Sequence, residues 1–313
     1  MKKWWHAIPV SMLALCFACE FCVDSGSARI IGGQNATTHI SLAEFLNPTR
    51  TSPSDLEVDG DLLGTVRGHS HSYVPREQLL GLPQVSYSVN NDANFNGPTQ
   101  ISGVALDQLI LALSANPQSD LAVAICSDGY ESHYAQTYIA AHHPVLVLKI
   151  NGQDPPGWPK APEHRADMGP YLISSPDFKP SFKILSHEDE PQIPWGVVRL
   201  EIHSEATVFN AIRPRQPGSN SREVQDGYRI AQQNCFRCHN SGKEGGTKAR
   251  RPWTVLSTWA TASPDFFQAY IHDPKSKNPK SQMPSFPNYD AATLNALTKY
   301  FQTFTDEKKS SKP

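Results

Sequence analysis

Beyond residue 30 the sequence has no long apolar run, only three cysteines and no excess charge of either sign, and each shortage removes a class of protein. Without about 20 consecutive apolar residues, no segment past the N-terminus can cross a bilayer as a helix. Lys plus Arg total 28 and Asp plus Glu 30, for a net charge of -2, which leaves nucleic acid without an electrostatic footing. Of the six cysteines, Cys16, Cys19 and Cys22 lie in the first thirty residues. The other three, Cys126, Cys235 and Cys238, cannot build a disulfide framework. No Gly-x-Ser-x-Gly nucleophile elbow and no phosphate-cradling glycine loop occurs.

What remains is a chain of 313 residues, 39% hydrophobic and 19% charged, long enough for two folded units. Its 26 prolines against 19 glycines argue against a helical bundle over most of the length. The near-neutral total hides an asymmetry: residues 220–313 carry 14 Lys/Arg and 8 Asp/Glu, so the preceding residues are net acidic. Opposite fields in two halves suggest two different roles. At the start, Lys2 and Lys3 precede an apolar run from Ala7 to Val23, interrupted by Glu20 and followed by Ser25-Gly26-Ser27-Ala28. That pattern predicts an export signal over residues 1–28, cleaved after Ala28, and a periplasmic or otherwise exported protein. The three leader cysteines raise lipidation, but none has a good acylation motif: a bulky Leu15 precedes Cys16, and Phe17-Ala18-Cys19 lacks the aliphatic residue the motif requires. A membrane would be met only through an uncleaved or lipidated N-terminus.

Cys235-Phe236-Arg237-Cys238-His239 is the one motif of high specificity. Cys-x-x-Cys-His is the attachment signature of c-type haem. Two thiols three residues apart at a helix end reach the two vinyl groups of one porphyrin, and the adjacent histidine meets the iron. A structural zinc site would need four ligands, and no second Cys/His pair lies nearby; a redox dithiol would sit in a βαβ context. Met283, followed by Pro284, is the only methionine beyond His239 and is the candidate sixth ligand. His272 competes with it, but at a helix end before Asp273-Pro274 it reads as a solvated histidine favoured by the helix dipole. Helical periodicity covers 221–233, 264–272 and 290–304, the last with Asp290 as N-cap.

Residues 220–305 therefore resemble a class I c-type cytochrome domain. The resemblance implies that the first helix crosses the last, with Gly227 against Tyr300 or Phe301. It implies also that Pro252 presents its carbonyl to the ring N–H of His239, and that Trp253 and Trp259 either wall the haem, shield a propionate or fill the core. In that fold Lys243, Lys248, Arg250, Arg251, Lys275, Lys277 and Lys280 flank the exposed haem edge, where a cationic rim would steer an acidic redox partner.

The front two-thirds is different. Short β-type runs at 56–60, 84–89, 121–126, 144–150 and 196–202 alternate with turns, and Asn151-Gly152 signals a hairpin. Amphipathic helices are predicted over 104–114 and 75–80. Val74 to Val85, Ile101 to Leu106, Cys126-Ser127-Asp128-Gly129-Tyr130, Asn151-Gly152-Gln153 leading to Gly169-Pro170-Tyr171-Leu172, and Trp195 to Leu200 together resemble the sulfite-oxidase-type molybdopterin-binding domain over 55–203. Active members hold molybdenum through a cysteine just after the strand here at 84–89. This chain reads Ser86-Tyr87-Ser88-Val89-Asn90-Asn91, without sulfur. Cys126 sits on another strand and reads as a buried small hydrophobe. Molybdopterin is therefore possible but not favoured. His69 and His71 read as solvated loop residues, and the neighbouring His142 and His143 as a poor chelate. Residues 204–219, with Pro214, Pro217 and Gly218, read as a linker.

The fold expected is α+β: a β-rich, sulfite-oxidase-like domain followed by an all-α monohaem cytochrome c domain. The expected function is one-electron transfer through a His239/Met283-ligated haem c, with no catalytic residue assigned. Two rivals stand beside it. One is a molybdenum-dependent, sulfite-dehydrogenase-like enzyme passing substrate electrons to its own haem. The other is an interaction module whose acidic half docks another oxidase subunit.

Overall fold

The computed structural model describes residues 45–63, 71–113, 115–162, 166–215 and 218–305. The export signal over 1–28, its cysteines and His69 lie outside them. By its contacts the chain divides into Met1–His39 and Ile40–Pro313, and every described residue belongs to the second unit.

The front region is built on one sheet. Its strands are β1 (Leu56–Gly60), β2 (Ser72–Val74), β3 (Val85–Val89), β4 (Thr99–Ala105), β5 (Leu121–Cys126), β6 (Glu131–Ala135), β7 (Val145–Ile150) and β8 (Tyr171–Ser174). The two-residue pair β9 (Lys183–Ile184) and β10 (His187–Glu188) follows, and then the long β11 (Trp195–His203). The order is β2-β1-β11-β8-β7-β4-β3, with β5 branching from β11 and carrying β6. Only β1 and β11 run parallel. β5 and β7 are apolar on both faces, Leu-Ala-Val-Ala-Ile-Cys and Val-Leu-Val-Leu-Lys-Ile, because helices and loops cover both sides there. Helices α1 (Arg76–Gly81), α2 (Leu106–Ala112) and α3 (Gln136–His142) pack Leu79, Leu106, Leu109 and Tyr138 onto the sheet.

Two local expectations shift. The helix predicted from residue 104 begins at Leu106, because Val104 and Ala105 are paired with Leu146 and Val145 of β7, and sheet pairing overrides helical periodicity there. Asn151 and Gly152 do form a tight turn, at φ 49° and 75°, but it closes only the Ile150–Gln153 bridge. Pro155 and Pro156 follow and have no N–H with which to extend a ladder.

The C-terminal region is helical: α5 (Arg222–Asn234), α6 (Trp253–Ala262), α7 (Pro264–His272), α8 (Pro274–Lys277) and α9 (Ala291–Gln302), with α4 (Glu205–Val208) leading in. Ser221 caps α5 by accepting from the Val224 N–H at 3.2 Å, and Asp290 caps α9 by accepting from the Thr293 N–H at 2.8 Å. α5 crosses α9 at Gly227, where a Cβ would stand 2.1 Å from the Ala296 carbonyl oxygen and 2.8 Å from the Tyr300 Cβ. Only glycine permits that approach.

The segment expected as a linker is packed. α4 and a 3-10 turn (Phe209–Ile212) bury Val208, Phe209 and Ile212, whose spacing supplies an apolar face ahead of the prolines. These three join Leu121 and Val123 of β5 and Ile184 of β9 in one cluster with Val224, Ile230, Phe236, Trp253, Leu297, Tyr300 and Phe301. Sheet and helices thus share a core. Among the described residues no helix is long and apolar enough to cross a membrane.

Candidate haem-binding site

The motif forms the turn that ends α5. The N–H of Cys235 donates to the Ala231 carbonyl at 2.9 Å, and those of Cys238 and His239 donate to the Cys235 carbonyl at 3.2 and 2.9 Å. One turn of backbone therefore carries both thiols and the imidazole. A loop closes over it: Gly246 donates to the Phe236 carbonyl and Ala249 to the Cys238 carbonyl, both at 2.9 Å. A Cβ at Gly246 would lie 1.9 Å from the Arg237 carbonyl oxygen.

His239 is 8% exposed, and its Nδ1–H donates to the Arg251 carbonyl at 2.6 Å. This corrects the expectation that Pro252 supplies that carbonyl. The Pro252 carbonyl opens α6, accepting from the Val255 N–H at 2.9 Å, so the acceptor left over is the one before it. The bond fixes the tautomer and puts the lone pair on Nε2, the atom required to bind iron. Burial holds the imidazole's pKa below its ordinary value, against the opposite pull of the Arg251 carbonyl, so the ring is kept neutral. Burial pushes the Cys235 thiol up to about 12 and raises that of Cys238. A zinc cage would need thiolates, and among the described residues no three His, Cys, Asp or Glu side chains converge. The donor set fits haem, which asks two thiols for thioether bonds and one neutral imidazole for iron.

Met283 is half-buried and borders the same apolar cluster as Cys235, Trp259 and Phe286. Its N–H donates to Ser281 Oγ at 3.3 Å, and that oxygen is 3.1 Å from the Tyr270 hydroxyl. Trp253, 1% exposed, is core: its ring meets Phe301 at 4.8 Å and Phe236 at 5.6 Å. Trp259 is half-buried beneath the Arg251 guanidinium, 5.0 Å from its centroid. His272 is exposed at the end of α7, beside Asp265, Asp273 and Lys277 in a surface cavity. Of the basic residues, Lys248 is paired with Asp128 at 2.8 Å and Arg251 lies on Trp259 and Tyr270. Lys243, Arg250, Lys275, Lys277 and Lys280 remain exposed.

Sequence reasoning passed over the two residues between the cysteines. Phe236 is fully buried and stacks on His133 of β6, with centroids 5.2 Å apart. The Arg237 carbonyl accepts from the Glu131 N–H at 2.9 Å, and its guanidinium, 9% exposed, stands 3.5 Å from the Tyr130 hydroxyl and 3.9 Å from Glu190. The haem motif is thus seated on the sheet region. A phenylalanine and an arginine between the cysteines were the only sequence signal for it.

The front region's own candidates do not assemble a metal site. Ser86 and Ser88 lie on the exposed face of β3. Cys126 is 5% exposed, and burial drives its thiol far above the thiolate range. His142 is 2.8 Å from Asp189, and His71 is 2.8 Å from Asp59. These residues do not fit a thiolate-held molybdenum.

Residues 222–301 match the family model described as cytochrome C oxidase, cbb3-type, subunit III. No curated protein matches the chain. Among solved structures, the sulfane dehydrogenase SoxCD from Paracoccus pantotrophus aligns at 14% identity and a TM-score of 0.34, over 56% of this chain. The aligned part spans 46% of the SoxCD chain. With the motif, the anchored imidazole and the crossing at Gly227, the C-terminal region of this chain is a c-type cytochrome domain, attached to a sheet-rich region.

Proposed function

We propose that this protein is an exported c-type cytochrome, working in the periplasm or an equivalent compartment, that carries single electrons on one covalently attached haem. The observation that carries the reading is His239, neutral, with Nδ1–H tied to the Arg251 carbonyl and its lone pair therefore on Nε2, on the same backbone turn as Cys235 and Cys238. Bound there, haem supplies an iron that cycles between ferric and ferrous. Cys235 and Cys238 would hold the porphyrin, and His239 and Met283 would ligate its iron. A thioether ligand favours ferrous iron relative to a second imidazole. Two protein ligands leave no open coordination position, which supports electron carriage over peroxide or oxygen chemistry. Protein matured in a host competent for haem ligation is expected to be red and heavier by one haem that survives denaturation. Colourless protein of unmodified mass would overturn the reading.

The exposed Lys243, Arg250, Lys275, Lys277 and Lys280 support a redox partner that is acidic where it docks. Electron exchange with a small acidic redox protein is then expected to slow as salt rises, and a flat salt dependence would remove the charge argument. Among the described residues the sheet region's donors support no metal-dependent role, so it is read as scaffold for the haem motif.

A further inference from the structure

Between the sheet region and the cytochrome domain runs a chain of hydrogen bonds, buried at His142–Asp189 and His187–Tyr289 and part-buried at Gln233 and Asn234, whose direction is fixed at every step. The Asp189 carboxylate, 2% exposed, only accepts, so His142 Nε2–H donates to it at 2.8 Å and Gln233 Nε2–H at 2.7 Å. The Gln233 carbonyl oxygen then accepts from His187 Nε2–H at 2.6 Å. His187, 1% exposed, is left with an acceptor at Nδ1, and the Tyr289 hydroxyl donates to it at 3.0 Å. The Tyr289 oxygen in turn accepts from Asn234 Nδ2–H at 2.7 Å.

The ends of this chain matter. Gln233 and Asn234 immediately precede Cys235. Tyr289, 7% exposed, closes the loop that carries Met283: its N–H donates to the Phe286 carbonyl at 3.1 Å, and the Phe286 N–H donates to the Ile271 carbonyl of α7 at 3.2 Å. Upstream, the same loop is held by Ser281 and Tyr270 within the cytochrome domain. Downstream, the buried hydroxyl of Tyr289 is held from both sides, by Asn234 within the domain and by His187 of β10 from outside it.

We infer that His187, a sheet-region side chain, is a positioning residue for Met283, acting through Tyr289 to keep the methionine loop against the segment that bears Cys235 and His239. The inference rests on the reading that His239 and Met283 ligate haem iron. It makes the sheet region part of what holds the methionine loop in place.

The test is imidazole titration of the ferric holoprotein, read together with the sulfur-to-iron charge-transfer absorbance and the covalent haem content. Tyr289→Phe keeps the ring stacked on Phe286, at 4.9 Å and 20°, and removes only the hydroxyl. His187→Leu removes the partner from the sheet side. Each is expected to tighten imidazole binding about three- to tenfold, the span of one lost hydrogen bond, with weakened sulfur absorbance and unchanged haem content. The double variant is expected to show less than the sum of the two single effects, because both break the His187–Tyr289 bond, while each also breaks one other, Asn234 to Tyr289 or His187 to Gln233. Asp128→Asn, which removes the Lys248 ion pair elsewhere in the same contact, is expected to leave imidazole affinity unchanged. Either single variant indistinguishable from wild type, additive singles, or an equal response in Asp128→Asn would each overturn the inference while leaving the haem assignment intact. Wild-type protein without haem, or without the sulfur absorbance, would overturn the site reading first and this inference with it.

Discussion

Replacing Gly227 by alanine sets two effects of opposite sign against each other in one helix. Alanine in place of glycine inside a helix favours folding by about 1 kcal/mol. At this position the new Cβ would stand 2.1 Å from the Ala296 carbonyl oxygen, 2.5 Å from its carbon and 2.8 Å from the Tyr300 Cβ. None of those atoms lies at the end of a flexible side chain, so relief requires α5 and α9 to move apart. Their separation would loosen Leu297, Tyr300 and Phe301, all at most 1% exposed. Overpacking of this kind costs about 1–3 kcal/mol, and a rigid backbone contact belongs at or above the upper end. The clash wins, with a net loss of about 2 kcal/mol. In a unit of this size each kcal/mol moves Tm by about 2–4 °C, so thermal unfolding of the holoprotein should fall by about 4–8 °C. Gly81→Ala, at the last residue of α1 where nothing lies within 4 Å of the new Cβ, is the control and should be neutral or stabilising by up to about 1 kcal/mol. A Gly227→Ala protein as stable as wild type would refute the claim that the helices meet at backbone distance.

Met283→Ala should lower the reduction potential and open the iron to exogenous ligands; an unchanged redox titration would remove Met283 from the site. Arg237→Met takes away a buried cation, with Nε and Nη2 unpartnered, from between the two haem cysteines. Ferric iron should then be favoured and the potential should drop, whereas a rise would contradict the charge argument. The pKa of Asp189 is lowered: burial acts to raise it, but hydrogen bonds from Ser181, Gln233 and His142 overcome that effect. A depressed folded-state value contributes stability that is fully present above the ordinary 3.8 and is lost as pH falls through the lower value. Asp189→Asn should therefore cost about 1.5–3 kcal/mol at pH 7 and flatten the acid limb of the stability profile below pH 4, measured by urea unfolding. An unaltered acid limb would exclude the residue.

How much of this was legible in the sequence depends on how far apart the interacting residues lie. Cys235, Cys238 and His239 were readable because haem chemistry fixes their spacing within one turn. β1 and β5 and the ends of α7 follow from local pattern alone, with the boundaries expected. The Pro252 expectation failed by one residue, because which of two adjacent carbonyls is free depends on where α6 begins. α6 itself was readable: Trp253, Leu256, Ser257 and Ala260 recur at helical spacing, a pattern hidden when each tryptophan is weighed alone. Val208, Phe209 and Ile212 carry a similar signal, which the breakers at Pro214, Pro217 and Gly218 obscured. The buried chain through His187 was not legible at all. Its pairs lie 46, 47 and 102 residues apart, and nothing in local composition joins them.

That separation bears on whether the cytochrome domain is a self-contained unit. Its core cluster includes Leu121, Val123, Ile184, Val208, Phe209 and Ile212, all contributed from before residue 220. Fully burying an aliphatic or aromatic side chain contributes about 1.5–3 kcal/mol, so these six together amount to about 9–18 kcal/mol as an upper bound. A whole domain is stable by only about 5–15 kcal/mol. Residues 220–305 expressed alone would also expose Phe236 and strand the Arg237 carbonyl now paired with Glu131. Covalent haem would restore part of the loss against the apolar cluster that Cys235 and Met283 border, but it would not replace the contacts of Phe236 and Arg237 with the sheet. The isolated segment is therefore expected to bind haem yet unfold at much lower urea than the full chain, with weakened sulfur ligation. A fragment as stable as the full chain would show that the shared cluster is mere contact and that the sheet region contributes nothing to holding the haem.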